Sequence, residues 1–181
     1  MKGIVFTEFI EMVEDTFSMT TANKIVDESD LPSGGVYTSI GTYDVSEMIT
    51  LVTVLSQETK IPSPKLIQAF GHHLFQRFHE KFPHFFMDID DCFDFLINVE
   101  DYIHIEVRKL YPDAALPKFD CEVADDRSSM LMTYRSPRCL SDLADGLIRG
   151  CIEHYDEPIT VTREVVEPDG SVVRFVLTRA A

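Results

Sequence analysis

The chain has 181 residues, 45% of them hydrophobic, enough for one well-buried core or for two small subdomains sharing one. Sixteen basic residues stand against 31 acidic ones. The formal charge of −15 repels phosphate backbones and anionic membranes, which argues against nucleic acid or a membrane as partner and favours a basic protein face.

The first ~17 residues carry Ile4, Val5, Phe6, Phe9, Ile10, Met12, Val13 and Phe17 at helical spacing, predicting an amphipathic helix. Glu8, Glu11, Glu14 and Asp15 interrupt its apolar run before it reaches the length of a signal or membrane span, so a cytoplasmic protein is expected. A short second helix follows around Thr21 to Val26. Leu31 to Gly35 is turn-rich, its Gly34-Gly35 pair lacking the lysine of a phosphate loop, and the stretch through Tyr43 reads as irregular. Asp44 and Glu47 have capping-box spacing ahead of a third helix over Met48 to Leu55.

Pro62-Ser63-Pro64 places Ser63 as an N-cap before a helical proline, and Leu66, Ile67, Phe70, Leu74, Phe75 and Phe78 continue that helix to Pro83. Phe93 to Leu110 keeps helical periodicity, with Asn98 to Asp101 as a break between two helices. Strand patterns cover Phe119 to Val123 and Met130 to Tyr134. Leu140 to Ile152 restores a helix, and Ile159 to Val166 with Val172 to Leu177 predicts a β-hairpin across Pro168-Asp169-Gly170. Helices first, then strands enclosing one more helix, give an α+β class with a C-terminal antiparallel sheet, not a nucleotide-binding βαβ alternation.

Three groups of polar residues bear on chemistry. His104 shares a helical stripe with Ile97, Val107 and Tyr111, where a neutral imidazole is either a satisfied core residue or a metal ligand. On an extended segment Tyr134, Ser136 and Arg138 point to one side, three donors able to grip carboxylates or a phosphate, or else a polar sheet face paired to acids. His72, His73, His79 and His84 lack the acid that would complete a zinc set and read as a solvated face. Asp88-x-Asp90-x-Cys92 begins like a calcium loop but has Phe93 where glycine is required and Val99 where the glutamate should be. Asp142, Asp145 and Glu153 read as solvent-facing helix charges. Cys92, Cys121, Cys139 and Cys151 show no C-x-x-C spacing and are expected as reduced thiols.

Taken together, Met1-Lys2-Gly3, Phe82-Pro83, His104 with Lys109-Leu110-Tyr111-Pro112, Leu116-Pro117, the Tyr134/Ser136/Arg138 motif and Gly146 to Gly150 resemble the haem-nitric oxide/oxygen-binding (H-NOX) family, related to the haem domain of soluble guanylate cyclase. The resemblance covers the whole chain and implies a single domain over 1–181: a helical subdomain to about residue 60, and helices plus antiparallel sheet over about 61–181, with haem b buried between them. It implies His104 as proximal ligand to the haem iron and Tyr134, Ser136 and Arg138 as donors to the propionates. Pro117 would press on the porphyrin, with Val5, Phe9 and Leu147 packed around it. Oxygen-binding members carry a distal tyrosine where this chain has Leu143. With Phe9, Leu74 and Phe78 the distal gas pocket is apolar.

The function so implied is a non-enzymatic sensor that binds nitric oxide and carbon monoxide and excludes dioxygen. Release of His104 would signal to a separate sensor histidine kinase (two-component regulation) or a diguanylate cyclase/phosphodiesterase. The competing expectations are a haem redox or haem-binding protein without gas signalling, and a cofactor-free adaptor.

Overall fold

The computed structural model describes residues 1–180. Seven α-helices and four strands follow in the order α1 (Gly3–Thr16), α2 (Met19–Asp27), α3 (Val45–Thr59), α4 (Ser63–Lys81), α5 (Cys92–Asn98), α6 (His104–Leu110), β1 (Lys118–Val123), β2 (Ser129–Arg135), α7 (Ser141–His154), β3 (Ile159–Val165) and β4 (Val172–Arg179). The strands form one antiparallel sheet in the order β1-β2-β4-β3. This is the helices-then-sheet α+β arrangement that the patterning predicts. No helix among the described residues is long and apolar enough to cross a membrane.

Period-2 alternation fixes the sheet. Met130, Met132 and Tyr134 on β2 and Val173, Phe175 and Leu177 on β4 turn to one face and are buried there. They form a core with α5, α7 and Phe75 of α4. A second core gathers α1, α2 and α3 with Leu66, Phe70 and Leu74 of α4. The helix α4 therefore serves both cores, and Leu147 of α7 packs against both.

α4 and α7 cross at glycines. A Cβ on Gly146 would lie 2.0 Å from the Gln68 carbonyl oxygen, and one on Gly71 would lie 2.3 Å from that of Leu143. No side chain fits between these backbones. On the other side of α4, the buried Glu8 of α1 accepts hydrogen bonds from Arg77 Nε at 2.9 Å and from Lys81.

Several local expectations change. The Asp44 side chain caps α3 through the Ser46 N–H at 2.8 Å, but Glu47 does not return the capping bond. It accepts from the hydroxyls of Ser33 and Tyr37, holding the 33–43 loop against α3. Ser63 is the first residue of α4 and Pro62 its N-cap, so the serine side chain caps nothing. The break expected at Asn98 to Asp101 is a π-helical turn, Val99–Ile103, through which α5 runs on into α6.

Asp145 is buried rather than solvent-facing, because Gln68 Nε2 and Arg149 Nε donate to it at 2.7 and 2.8 Å. The histidines divide: His84 is exposed as expected and His72 meets Glu153 at the surface, whereas His73 is half-buried with its Nε2 sealed from solvent and His79 meets the tilted ring of His154 with centroids 4.3 Å apart. The Cys92 and Cys151 thiols are free and buried, 3.5 Å apart.

Candidate functional site

The π-helical turn and the α6 that follows deliver His104 to the interior. It is the one buried residue of α6, 8% exposed, in a helix whose other side chains are half-buried or exposed. A π-helical turn adds a residue to the helical repeat, and such insertions concentrate where a helix presents a functional side chain. Glu100 stands four residues earlier on the same face, and its Oε2 lies 3.0 Å from His104 Nδ1. A carboxylate there keeps the proton on Nδ1 and leaves Nε2 with its lone pair, and Nε2 has no hydrogen-bond partner among the described residues. Burial lowers the His104 pKa below the ordinary imidazole value, and the Glu100 hydrogen bond opposes that shift without cancelling it.

Phe119, the second residue of β1, links His104 to the motif on β2. Its ring centroid is 6.0 Å from that of His104 and 5.8 Å from that of Tyr134, which it faces across the β1–β2 ladder. Tyr134 is buried at the end of β2, and its hydroxyl oxygen accepts the Leu140 N–H at 2.9 Å, capping the start of α7 and leaving its own proton to donate. Burial raises the Tyr134 pKa, so the phenol stays protonated.

The strand ends at Arg135, so the alternation expected to carry Ser136 and Arg138 is replaced by a turn. In it the Ser136 hydroxyl accepts the Arg138 N–H at 3.2 Å. Tyr134 and Ser136 are still both buried, with Arg135 and Pro137 exposed between and beyond them. Arg138 donates from Nη1 to the Ala115 carbonyl at 2.8 Å, tying the motif to the segment that carries Pro117.

Its lack of a carboxylate partner sets Arg138 apart. Eight of the nine arginines have a carboxylate within ion-pair distance, and Arg138 is the one that, among the described residues, has none. In a chain with 31 acids, a guanidinium with no carboxylate partner is chemically able to take an external anion.

The remaining expected residues collect on one side. Phe9 and Leu74 are buried in the N-terminal core, with Val5, Phe78, Leu143 and Leu147 packed against it. Leu143 and Leu147 lie in the two turns of α7 that follow the Tyr134 cap. Pro117 is half-buried directly before β1.

The family model for haem-NO-binding proteins matches residues 2–163. The chain belongs to the haem-NO-binding, or H-NOX, family. It is similar to the unliganded Fe(II) H-NOX protein from K. algicida, with 38% identity over 100% of this chain and 97% of that one and a TM-score of 0.93. It is also similar to the S. oneidensis H-NOX protein in the Fe(II)NO state, with 26% identity, 100% coverage of both chains and a TM-score of 0.91. The H-NOX from Shewanella woodyi in the Fe(II)CO state is 37% identical, over 99% of this chain and 95% of that one, with a TM-score of 0.84. No curated protein matches the sequence.

H-NOX proteins are haem-binding gas sensors. The groups present here fit a haem: an imidazole with a free Nε2, an unpaired guanidinium with two hydroxyls, and an apolar set in and against the N-terminal core.

Sequence reasoning missed Glu100. Its i,i+4 spacing to His104 was the available signal.

Proposed function

We propose that this H-NOX chain is a nitric oxide sensor that also binds carbon monoxide and excludes dioxygen. The observation that carries the reading is a buried imidazole with a free Nε2 standing one aromatic ring away from a motif whose guanidinium lacks an anion. In this reading His104 Nε2 ligates the iron of haem b, while Tyr134, Ser136 and Arg138 donate to its propionates. An always-ionised, bidentate donor suits a buried carboxylate better than lysine would. Pro117 presses on the porphyrin, and Val5, Phe9 and Leu147 pack around it.

His104 Nε2 would hold the haem, which would supply a ferrous iron able to take a diatomic gas, with nitric oxide loosening the hold of His104. Phe9, Leu74, Phe78 and Leu143 set the selectivity, because none carries a side-chain hydrogen-bond donor. Bound dioxygen gains anionic character and needs such a donor, whereas nitric oxide and carbon monoxide do not. The relatives captured with NO and with CO support this ligand class.

Release of His104 would let α6 shift relative to the N-terminal helices, a two-state change biased by whether the histidine is bonded. The output goes to a separate sensor histidine kinase or a diguanylate cyclase/phosphodiesterase, and the charge of −15 favours a basic docking face on it. The single-domain reading over residues 1–181 belongs to the same proposal.

Visible spectra of the purified ferrous chain, taken without oxygen, with nitric oxide and in air, test the reading. The expected series is five-coordinate ferrous, five-coordinate nitrosyl, and no oxy complex. A stable oxy complex overturns the exclusion of dioxygen, a persistent six-coordinate nitrosyl overturns release of His104, and a colourless protein returns the chain to the adaptor expectation.

A further inference from the structure

We propose that Glu100 is a positioning residue that sets the strength of the bond His104 makes through Nε2. This rests on the reading of His104 as the iron ligand and adds a device this sequence builds beside it. A carboxylate hydrogen-bonded to the far nitrogen of a ligating imidazole fixes the tautomer and ring orientation and raises the basicity of the ligating nitrogen. Here Glu100 Oε2 lies 3.0 Å from His104 Nδ1, with side chains 22% and 10% exposed, so water competes poorly for the contact.

Two further groups control how much charge the carboxylate can lend. The Phe119 N–H donates to the same Oε2 at 3.2 Å, which anchors the carboxylate to the edge of β1 and stops it rotating away from the imidazole. Arg108 Nη2 sits 3.6 Å from Oε1 and draws negative charge toward the solvent side. His104 therefore faces a carboxylate that is held by a backbone amide and partly neutralised by a guanidinium. The strength of the bond at Nε2 is set by the balance between Glu100 and Arg108, and with it the ease of release that the sensor reading requires.

The balance predicts opposite effects from two substitutions, which a merely structural role does not. Glu100→Gln keeps the shape and still accepts the Phe119 N–H but removes the charge. It lowers the iron–histidine stretching frequency of the ferrous haem-loaded chain and speeds nitric oxide-driven release of His104 about tenfold. Arg108→Met frees the carboxylate from its counter-charge, so the frequency rises and release slows.

Resonance Raman spectra and stopped-flow mixing with nitric oxide on the full chain and both variants decide the matter. Shifts of opposite sign establish the role. An iron–histidine band that neither variant moves, or that both move the same way, overturns it while leaving His104 as ligand. Absence of that band from the unsubstituted chain overturns the reading of His104 itself, and this proposal with it.

Discussion

The two helical supports on either side of the site are built on opposite principles. α4 and α7 meet backbone to backbone at Gly71 and Gly146, with Phe75 filling the space beside Gly150, so nothing can slide without a clash. α6 buries only His104 and leaves Ile105 44% and Leu110 68% exposed. The first is a fixed seam joining the two cores. The second is a short lever held by one buried side chain, a π-helical turn and the hydrogen bonds of Glu100. A change at His104 can therefore move α6 at little cost while the seam carrying Leu143 and Leu147 stays in place, because local stability follows local burial.

The largest expected effect comes from breaking the seam. Gly146→Ala puts a Cβ 2.0 Å from the Gln68 carbonyl and 2.8 Å from Gly71 Cα, both backbone atoms that no rotamer change can remove. A loss of about 3 kcal/mol or more is expected in urea unfolding. A loss below 1 kcal/mol would mean that the seam yields as readily as α6, and the contrast between the two supports would disappear.

The next effect tests how α1 is tied to the seam helix. Burial alone would raise the Glu8 pKa, but hydrogen bonds from Lys81 and Arg77 outweigh it and hold the carboxyl below its ordinary value of 4.5. A lowered folded-state pKa stabilises the protein above the unfolded value, and this stability is lost as the pH falls through the folded one. Glu8→Gln should cost roughly 2 kcal/mol at neutral pH. The difference between wild type and variant should shrink below about pH 4.5, the unfolded-state value. A difference that stays constant down to pH 3, followed by thermal denaturation, would remove Glu8 from the electrostatic account.

The seam was the less legible of the two regions. The sheet and the hairpin follow from alternation that each strand carries by itself. The helix crossing depends on Gly71, Gly146 and Gly150 meeting across some 75 residues, and no local pattern announces that meeting. Glu47 left its expected capping box, and Asp145 its expected place in solvent, for the same reason. Their partners, Ser33 and Tyr37 for one and Gln68 for the other, come from other elements of the chain.

At the site, His104 and the Tyr134/Ser136/Arg138 motif were visible as residue types at a known spacing. The π-helical turn was visible only as a lapse in periodicity and was read as a break. Glu100 stands at the i,i+4 spacing that would have flagged it, but among 31 acids that spacing stands out only once the distance to Nδ1 is known.

A smaller effect sharpens the comparison at the point where motif and seam meet. The Tyr134 hydroxyl accepts the Leu140 N–H at the start of α7, where a helix otherwise leaves its first amides unpaired. Tyr134→Phe keeps the ring against Phe119 and removes the cap, so a loss of about 1 kcal/mol is expected in the haem-free chain. Circular dichroism melting of that form would show it. A loss confined to the haem-loaded form would assign the hydroxyl to propionate binding alone.

The smallest effect is the most direct check on α6. Leu110 ends the helix with most of its side chain in water, so Leu110→Ser removes little buried surface and should change unfolding stability by no more than about 0.5 kcal/mol. Leu110 supplies none of the polar grip on His104, which comes from Glu100 with Phe119 and Arg108 beside it. The iron–histidine frequency should then be unchanged as well. A stability loss above 1 kcal/mol would show that α6 is anchored by its far end, and a helix anchored at both ends could not serve as the lever that the proposed release of His104 requires.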